Sequence, residues 1–239
     1  EKAAPEVEAP LINYLNAARA AQEAGDPAGR DRLLRAAEAS TPGARFAVGL
    51  AQAELQRDQA QWEPCLATLL QLYRQAPRHA RVLRMLVDCY RQLEDWQAIL
   101  ELTDALRKHQ VLDEAALEAL RIEAWRGRLD QGRESPADLL EDLPRDLRHE
   151  PALVSRFAER LAASDAPAAE GLLRRALEHR WNGDLVRQYG ALTGADADAR
   201  RVVSEGWLKE RPNDADLLLA LGRISLQVRA WAQAREYLE

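Results

Sequence analysis

Arg81, Arg84, Asp88 and Arg91 stand 3, 4 and 3 residues apart in RHARVLRMLVDCYRQLEDW, residues 78–96. On a helix that spacing draws them into one stripe. Arginine presents a planar fork of donors that matches a carboxylate bidentately, so the stripe is a candidate anion-binding ladder. The same stretch holds His79 and Cys89, residue types that can ligate a metal or haem iron. A plainer reading is a solvated face on which Asp88 pairs with Arg84 and Arg91. Exposed pairs of that kind contribute roughly 0–1 kcal/mol. The chain carries a net charge of -6, so a run of guanidinium groups within it needs a reason.

Other chemistries leave little trace. No GxxxxGK[ST] phosphate loop, HExxH zinc motif or GxSxG nucleophile elbow occurs. Carboxylate pairs abound, but on helices this charged they read as solvated faces. No residue is assigned a catalytic or metal-binding role, and no enzyme is expected. Among the histidines, His109 and His179 fall in the last turns of expected helices, where the carbonyl-end dipole favours a cation. His79 falls at a helix start and His149 in a loop. No two are spaced at i, i+3 or i+4, so all four read as ordinary helix-end residues. Cys65 and Cys89 form no CxxC motif and no disulfide framework. Both read as core thiols of a protein kept in a reducing compartment. Trp62, Trp96 and Trp231 recur at equivalent places and read as packing residues. Trp125 breaks that pattern among Arg121, Arg126 and Arg128, where it can line a groove and stack on a flat ligand or an arginine.

The elements that position these residues are helices. The 239 residues are 47% hydrophobic and only 5% aromatic. They are rich in Ala, Leu, Arg, Glu and Gln, all strong helix formers. Alternating strand patterns are hard to find. A pI near 5.4 argues against nucleic acid as a partner. No run of about 18 apolar residues could span a bilayer.

A period of about 34 residues organises the chain. Trp62 and Trp96 each open an amphipathic segment, and Pro27, Ala166 and Trp231 open others at compatible spacings. Pro42, Pro77 and Pro212 close helices. Each unit reads as two helices joined by a polar turn. In the last unit Leu218, Leu221, Gly222 and Ser225 are followed by Ala234 and Leu238. This resembles the tetratricopeptide (TPR) pattern W-x2-L-G-x2-Y, then A-x3-F. The first unit agrees through Tyr14, Ala17, Ala18 and Ala21, then Leu34 and Ala37. The middle is irregular: Trp125, Gly127 and Gly132 interrupt one helix, Pro144 cuts PADLLEDLPRDLRHEP, and GDLVRQYGALTG is short. We therefore expect an all-α, right-handed α-solenoid of about seven TPR-like helix pairs over residues 10–239, truncated in the last repeat. Residues 1–9 are expected to be a linker from a missing N-terminal part. A compact helical bundle is the alternative architecture.

In such a solenoid the first helix of each pair lines the concave surface. With Leu83, Leu86, Val87 and Tyr90 packing inward, Arg81, Arg84, Asp88 and Arg91 face the groove. Equivalent offsets give Arg19 in the first unit, Arg57 with Glu54 in the second, Arg126 in the fourth and Arg223 in the last. The expected partner- or anion-binding groove is thus Arg19, Arg81, Arg84, Asp88, Arg91, Trp125, Arg126 and Arg223.

Three blocks, PLINYLNAARAAQEAGD, PRHARVLRMLVDCYRQLEDWQAILEL and ALEALRIEAWRGRLDQ, resemble the HemY family in order and spacing. HemY proteins are proteobacterial TPR proteins associated with haem biosynthesis. The resemblance implies a TPR region anchored in the bacterial inner membrane by two N-terminal helices outside this sequence. The basic segment after those helices would place the repeats on the cytoplasmic side. It further implies a non-catalytic scaffold acting late in haem biosynthesis, with haem-pathway enzymes as candidate partners and no cofactor. Two alternatives stand beside it: a carrier or sensor that binds porphyrin or haem, and a peptide-binding TPR adaptor unrelated to haem.

Overall fold

Local signals start the helices, and many of the starts are acidic or amide caps. In the computed structural model the side chains of Asp26, Asp95, Asp165, Asn182, Asp196 and Asp214 each accept a hydrogen bond from the backbone N–H three residues on. Each satisfies a donor that the first helical turn leaves orphaned. His79 caps its helix in the same way, its Nδ1 accepting from the Val82 N–H.

The structure describes residues 10–239, so the expected linker at 1–9 lies outside the described residues. The described residues form fourteen helices and no strand. The chain divides inside one helix into two units, residues 1–121 and 122–239. The first unit holds α1 (Pro10–Glu23), α2 (Pro27–Ser40), α3 (Arg45–Asp58), α4 (Trp62–Gln75), α5 (Ala80–Gln92) and α6 (Trp96–Lys108). The dividing helix is α7 (Glu114–Asp130). The second unit continues with α8 (Pro136–Asp142), α9 (Pro151–Ala162), α10 (Ala166–His179), α11 (Gly183–Ala191), α12 (Ala197–Glu210), α13 (Ala215–Gln227) and α14 (Trp231–Leu238). No described helix is long and apolar enough to cross a membrane.

The expected period is the period of a turn. Gly25, Ala60, Glu94 and Arg229 all have positive φ, between 54° and 72°. Each is followed by a capping residue and then by the helix starts Pro27, Trp62, Trp96 and Trp231. The capping residue's N–H bonds back five residues: Asp26 to Ala21 O, Gln61 to Gln56 O, Asp95 to Tyr90 O and Ala230 to Ser225 O, at 2.8–2.9 Å. This left-handed closure ends one helix and aims the next. The recurring tryptophans therefore sit at first positions of second helices.

Packing follows the expected faces. Leu83, Leu86 and Val87 of α5 are buried, and α5 packs on α4, whose Cys65, Leu69 and Leu72 are buried as well. Fully burying a leucine stabilises the fold by about 2 kcal/mol. In the second unit α11 and α13 approach closely: a Cβ on Gly190 would lie 2.4 Å from the Ala220 Cα. Gly222 likewise leaves room for Leu238, which would stand 2.6 Å from an added Cβ. The small residues of the repeat pattern are thus the places where helices touch.

Two expectations need correction. The interruption expected at Trp125 and Gly127 does not occur; α7 runs 17 residues through both and ends before Gly132, whose φ is +65°. A single interior glycine costs only about 1 kcal/mol in a helix, and the burial of Ala124, Trp125 and Leu129 outweighs it. Trp231 is 63% exposed and does not pack among the described residues, whereas Trp62 and Trp96 are half-buried. Elsewhere the irregular middle is as read: α8 has only 7 residues and α11 only 9.

Candidate functional site

The first helices of the first three pairs, α1, α3 and α5, each contribute to one polar face. Glu54 of α3 is its centre. Although only 7% exposed, its carboxylate accepts from Arg19 NH2 of α1 at 3.2 Å and pairs with Arg81 NH2 of α5 at 2.7 Å. Arg19 and Arg81 are themselves exposed. One nearly buried carboxylate thus gathers arginines lying 35 and 27 positions away along the chain.

The rest of the stripe is on α5. Arg91 pairs with Asp88 at 3.6 Å. Arg84 does not pair with Asp88 as expected; its NH2 donates to the Val111 carbonyl at 3.0 Å, in the turn after α6. Arg57 turns away from Glu54 to Asp58, and the hydrogen bond to that carboxylate holds its pKa above the usual value. Along this face Arg19 and Arg81 meet the carboxylate of Glu54, and Arg91 meets that of Asp88. With Arg84, the six residues leave a surplus of positive charge on an acidic protein. A depression of about 170 Å³ adjoins it, lined by Ile12, Leu15, Arg19 and Glu54 among others. Ile12 is exposed there, an apolar contact beside the charges.

The remaining expected groove residues belong to the second unit. Trp125 is only 5% exposed, and Arg128 lies over its ring at 5.2 Å. The expected groove-lining role for Trp125 is corrected: α7 buries the ring, so no face is left for a flat ligand, and its arginine stacking is internal. Arg126 is exposed and borders a polar depression with Asp130, Arg156 and Glu159. There Arg156 already bridges Asp130 at 2.5 Å and Glu159 at 2.7 Å. Arg223 is exposed and reaches the Arg187 carbonyl at 3.5 Å.

Three tertiary constellations were not read from the sequence. Cys65 of α4 and Cys89 of α5 are both fully buried free thiols with sulfurs 3.3 Å apart. The Cys89 S–H donates to Cys65, which favours a thiolate at Cys65, while that bond and burial drive the Cys89 pKa far up. The i, i+24 separation carries no local signal. His149 and His179 stack with centroids 4.0 Å apart. Burial, with His179 and Arg148 as neighbouring charges, lowers the His149 pKa. Arg200 of α12 is 1% exposed and has no carboxylate partner among the described residues. It donates to the Tyr189 carbonyl at 2.8 Å and to Gln227 Oε1 at 2.6 Å, and burial lowers its pKa.

Both cysteines are sealed in the core, which closes them to a haem iron. No group of three or more His, Cys, Asp or Glu among the described residues is arranged to hold a metal ion.

Helix pairs with TPR spacing and a charged first-helix face define an all-α TPR-like repeat protein. Comparison with known proteins makes this more particular. The chain is 26% identical over 239 residues to protein HemY of Escherichia coli K12, and equally to HemY of Escherichia coli O157:H7 and of Shigella flexneri. The alignments cover 98% of this chain and 60% of each relative. The chain is therefore related to HemY along nearly its whole length, and it spans about 60% of the relatives it matches. No family model matches the chain. Among solved structures, a tetratricopeptide repeat protein from Parabacteroides merdae ATCC 43184 aligns over 95% of this chain and 90% of its own, with 12% identity and a TM-score of 0.42.

Proposed function

We propose that the chain is the non-catalytic repeat region of a membrane-anchored scaffold acting late in haem biosynthesis, lying on the cytoplasmic side of the bacterial inner membrane. It holds a protein partner through an acidic stretch laid along the face of α1, α3 and α5. The observation that carries this reading is the Glu54 junction, where arginines from α1 and α5 converge on α3. It makes three first helices one continuous surface, as partner binding along a repeat face requires. Excess guanidinium on that surface favours carboxylates through charge-assisted, bidentate bonds. The relationship to HemY supports the link to haem biosynthesis and to a membrane anchor.

The test uses a fluorescent acidic peptide, its lysine-substituted counterpart, and each late enzyme of haem biosynthesis as purified prey. Arg81→Ala, Arg84→Ala and Arg91→Ala combined should leave helicity intact and cost less than about 1 kcal/mol, because the side chains are at the surface. The same variant should lose the acidic peptide and the captured enzyme. Retained binding of both would end the proposal.

A further inference from the structure

The shortness of α8 has a consequence on α10. Second helices of the regular pairs run 13 or 14 residues, but α8 stops after 7 and the chain continues through Pro144 without helix until Pro151. The face of α10 from Pro167 to Ala176 is left partly uncovered. A cavity of about 720 Å³ fills the space between this face, the end of α9, α8 and the chain around Arg148. Small-molecule sites commonly enclose about 300–1,000 Å³.

Its walls are of two kinds. Leu140, Leu161 and Leu172 give an apolar floor, and the latter two are themselves core residues. Gly171 leaves the floor bare under Arg175; a Cβ there would stand 3.3 Å from the Arg175 guanidinium. Arg175 is exposed and has no carboxylate partner among the described residues. Arg148, opposite, donates only to the carbonyls of Leu143 and Glu141, at 2.9 and 3.0 Å. The Glu141 side chain is the one carboxylate lining the cavity, against these two guanidinium groups.

We propose that this cavity binds a small carboxylate with a single apolar tail. The tail lies on the leucine floor, and the carboxylate meets Arg175, with Arg148 adding charge. Apolar side chains beside a guanidinium fit such an anion better than a neutral chain, because the fork meets both carboxylate oxygens. A neutral head group would forgo those charge-assisted bonds. The cavity belongs to the second unit alone, so the inference is independent of the partner-binding face on α1, α3 and α5.

The experiment titrates the intact chain with 11-(dansylamino)undecanoate and follows dansyl fluorescence, then competes with decanoate and decanol. Saturable binding displaced by decanoate at least tenfold better than by decanol is expected. Arg175→Glu should weaken the probe at least tenfold. Ala168→Trp, which fills the cavity from its wall, should abolish binding, with circular dichroism confirming that both variants fold. Arg81→Ala should change nothing. No saturable binding, equal competition by decanol, or binding that survives either Arg175→Glu or Ala168→Trp would overturn the proposal. So would displacement by an apolar peptide but not by decanoate, which would make the cavity a protein-docking surface.

Discussion

The two units bury opposite charges in opposite ways. In the first, the buried group is an anion, Glu54, and its partners Arg19 and Arg81 stand in solvent. In the second, the buried group is a cation, Arg200, and no acid meets it; it is held by the Tyr189 carbonyl and the Gln227 amide oxygen. A carboxylate only accepts, so burying it calls for donors, and cations supply the strongest ones. A guanidinium carries five N–H donors and can be satisfied by neutral carbonyls. The units differ in regularity as well. The six helices α1 to α6 run 13 or 14 residues each, whereas α8 and α11 have 7 and 9. The regular unit presents one continuous charged face. The irregular unit fastens its helices with a buried arginine and leaves a cavity beside α10.

The largest loss of stability is expected in the second unit. Arg200→Ala removes the long buried side chain and orphans the acceptors on Tyr189 and Gln227. It should cost about 2–4 kcal/mol in chemical denaturation. Arg200→Met keeps an aliphatic stem and should cost less. Equal losses for the two would mean that the hydrogen bonds, not the filling of space, hold α11, α12 and α13 together.

The first unit should respond asymmetrically. Arg19→Ala with Arg81→Ala strands Glu54 without a cation and should cost about 1–3 kcal/mol, less than a deeper site because the carboxylate lies near the surface. Glu54→Ala frees two exposed arginines to be solvated and should cost less than about 1 kcal/mol. A Glu54→Ala loss as large as that of the double arginine change would show that the carboxylate's own packing dominates.

The smallest expected effect is at the shared turn. Gly25 holds the left-handed position in the first pair, but Ala60 holds it in the second with φ at 55°. Ala60→Gly removes the strain of a Cβ there and should raise stability by up to about 1 kcal/mol. A loss in thermal melting would show that the flexibility added to the unfolded chain outweighs the relief.

The sequence carried the repeat because its signals are local. Asp95 before Trp96 and Asp26 before Pro27 are caps readable within four residues, and they fixed where second helices begin. The stripe of Arg81, Arg84, Asp88 and Arg91 was legible for the same reason: the 3.6-residue turn alone sets which side chains share a helix face. Tryptophan type by itself misled twice. Trp125 is buried under Arg128, and Trp231, though placed by the same turn as Trp62 and Trp96, is exposed. Burial of one side depends on what packs over it, which no spacing within the helix records.

Which side chains meet across the pairs is set by packing. Arg19 and Arg81 find Glu54, Cys65 finds Cys89, and His149 finds His179, at separations from 24 to 35 residues. Arg84 leaves its helix neighbour Asp88 for the Val111 carbonyl. Helix geometry is encoded residue by residue in backbone hydrogen bonds and caps, so the helices, their period and their faces are legible in the order of residues alone. Side chains that reach beyond their own helix choose among partners by distance, burial and charge, and those are set only when the helices pack.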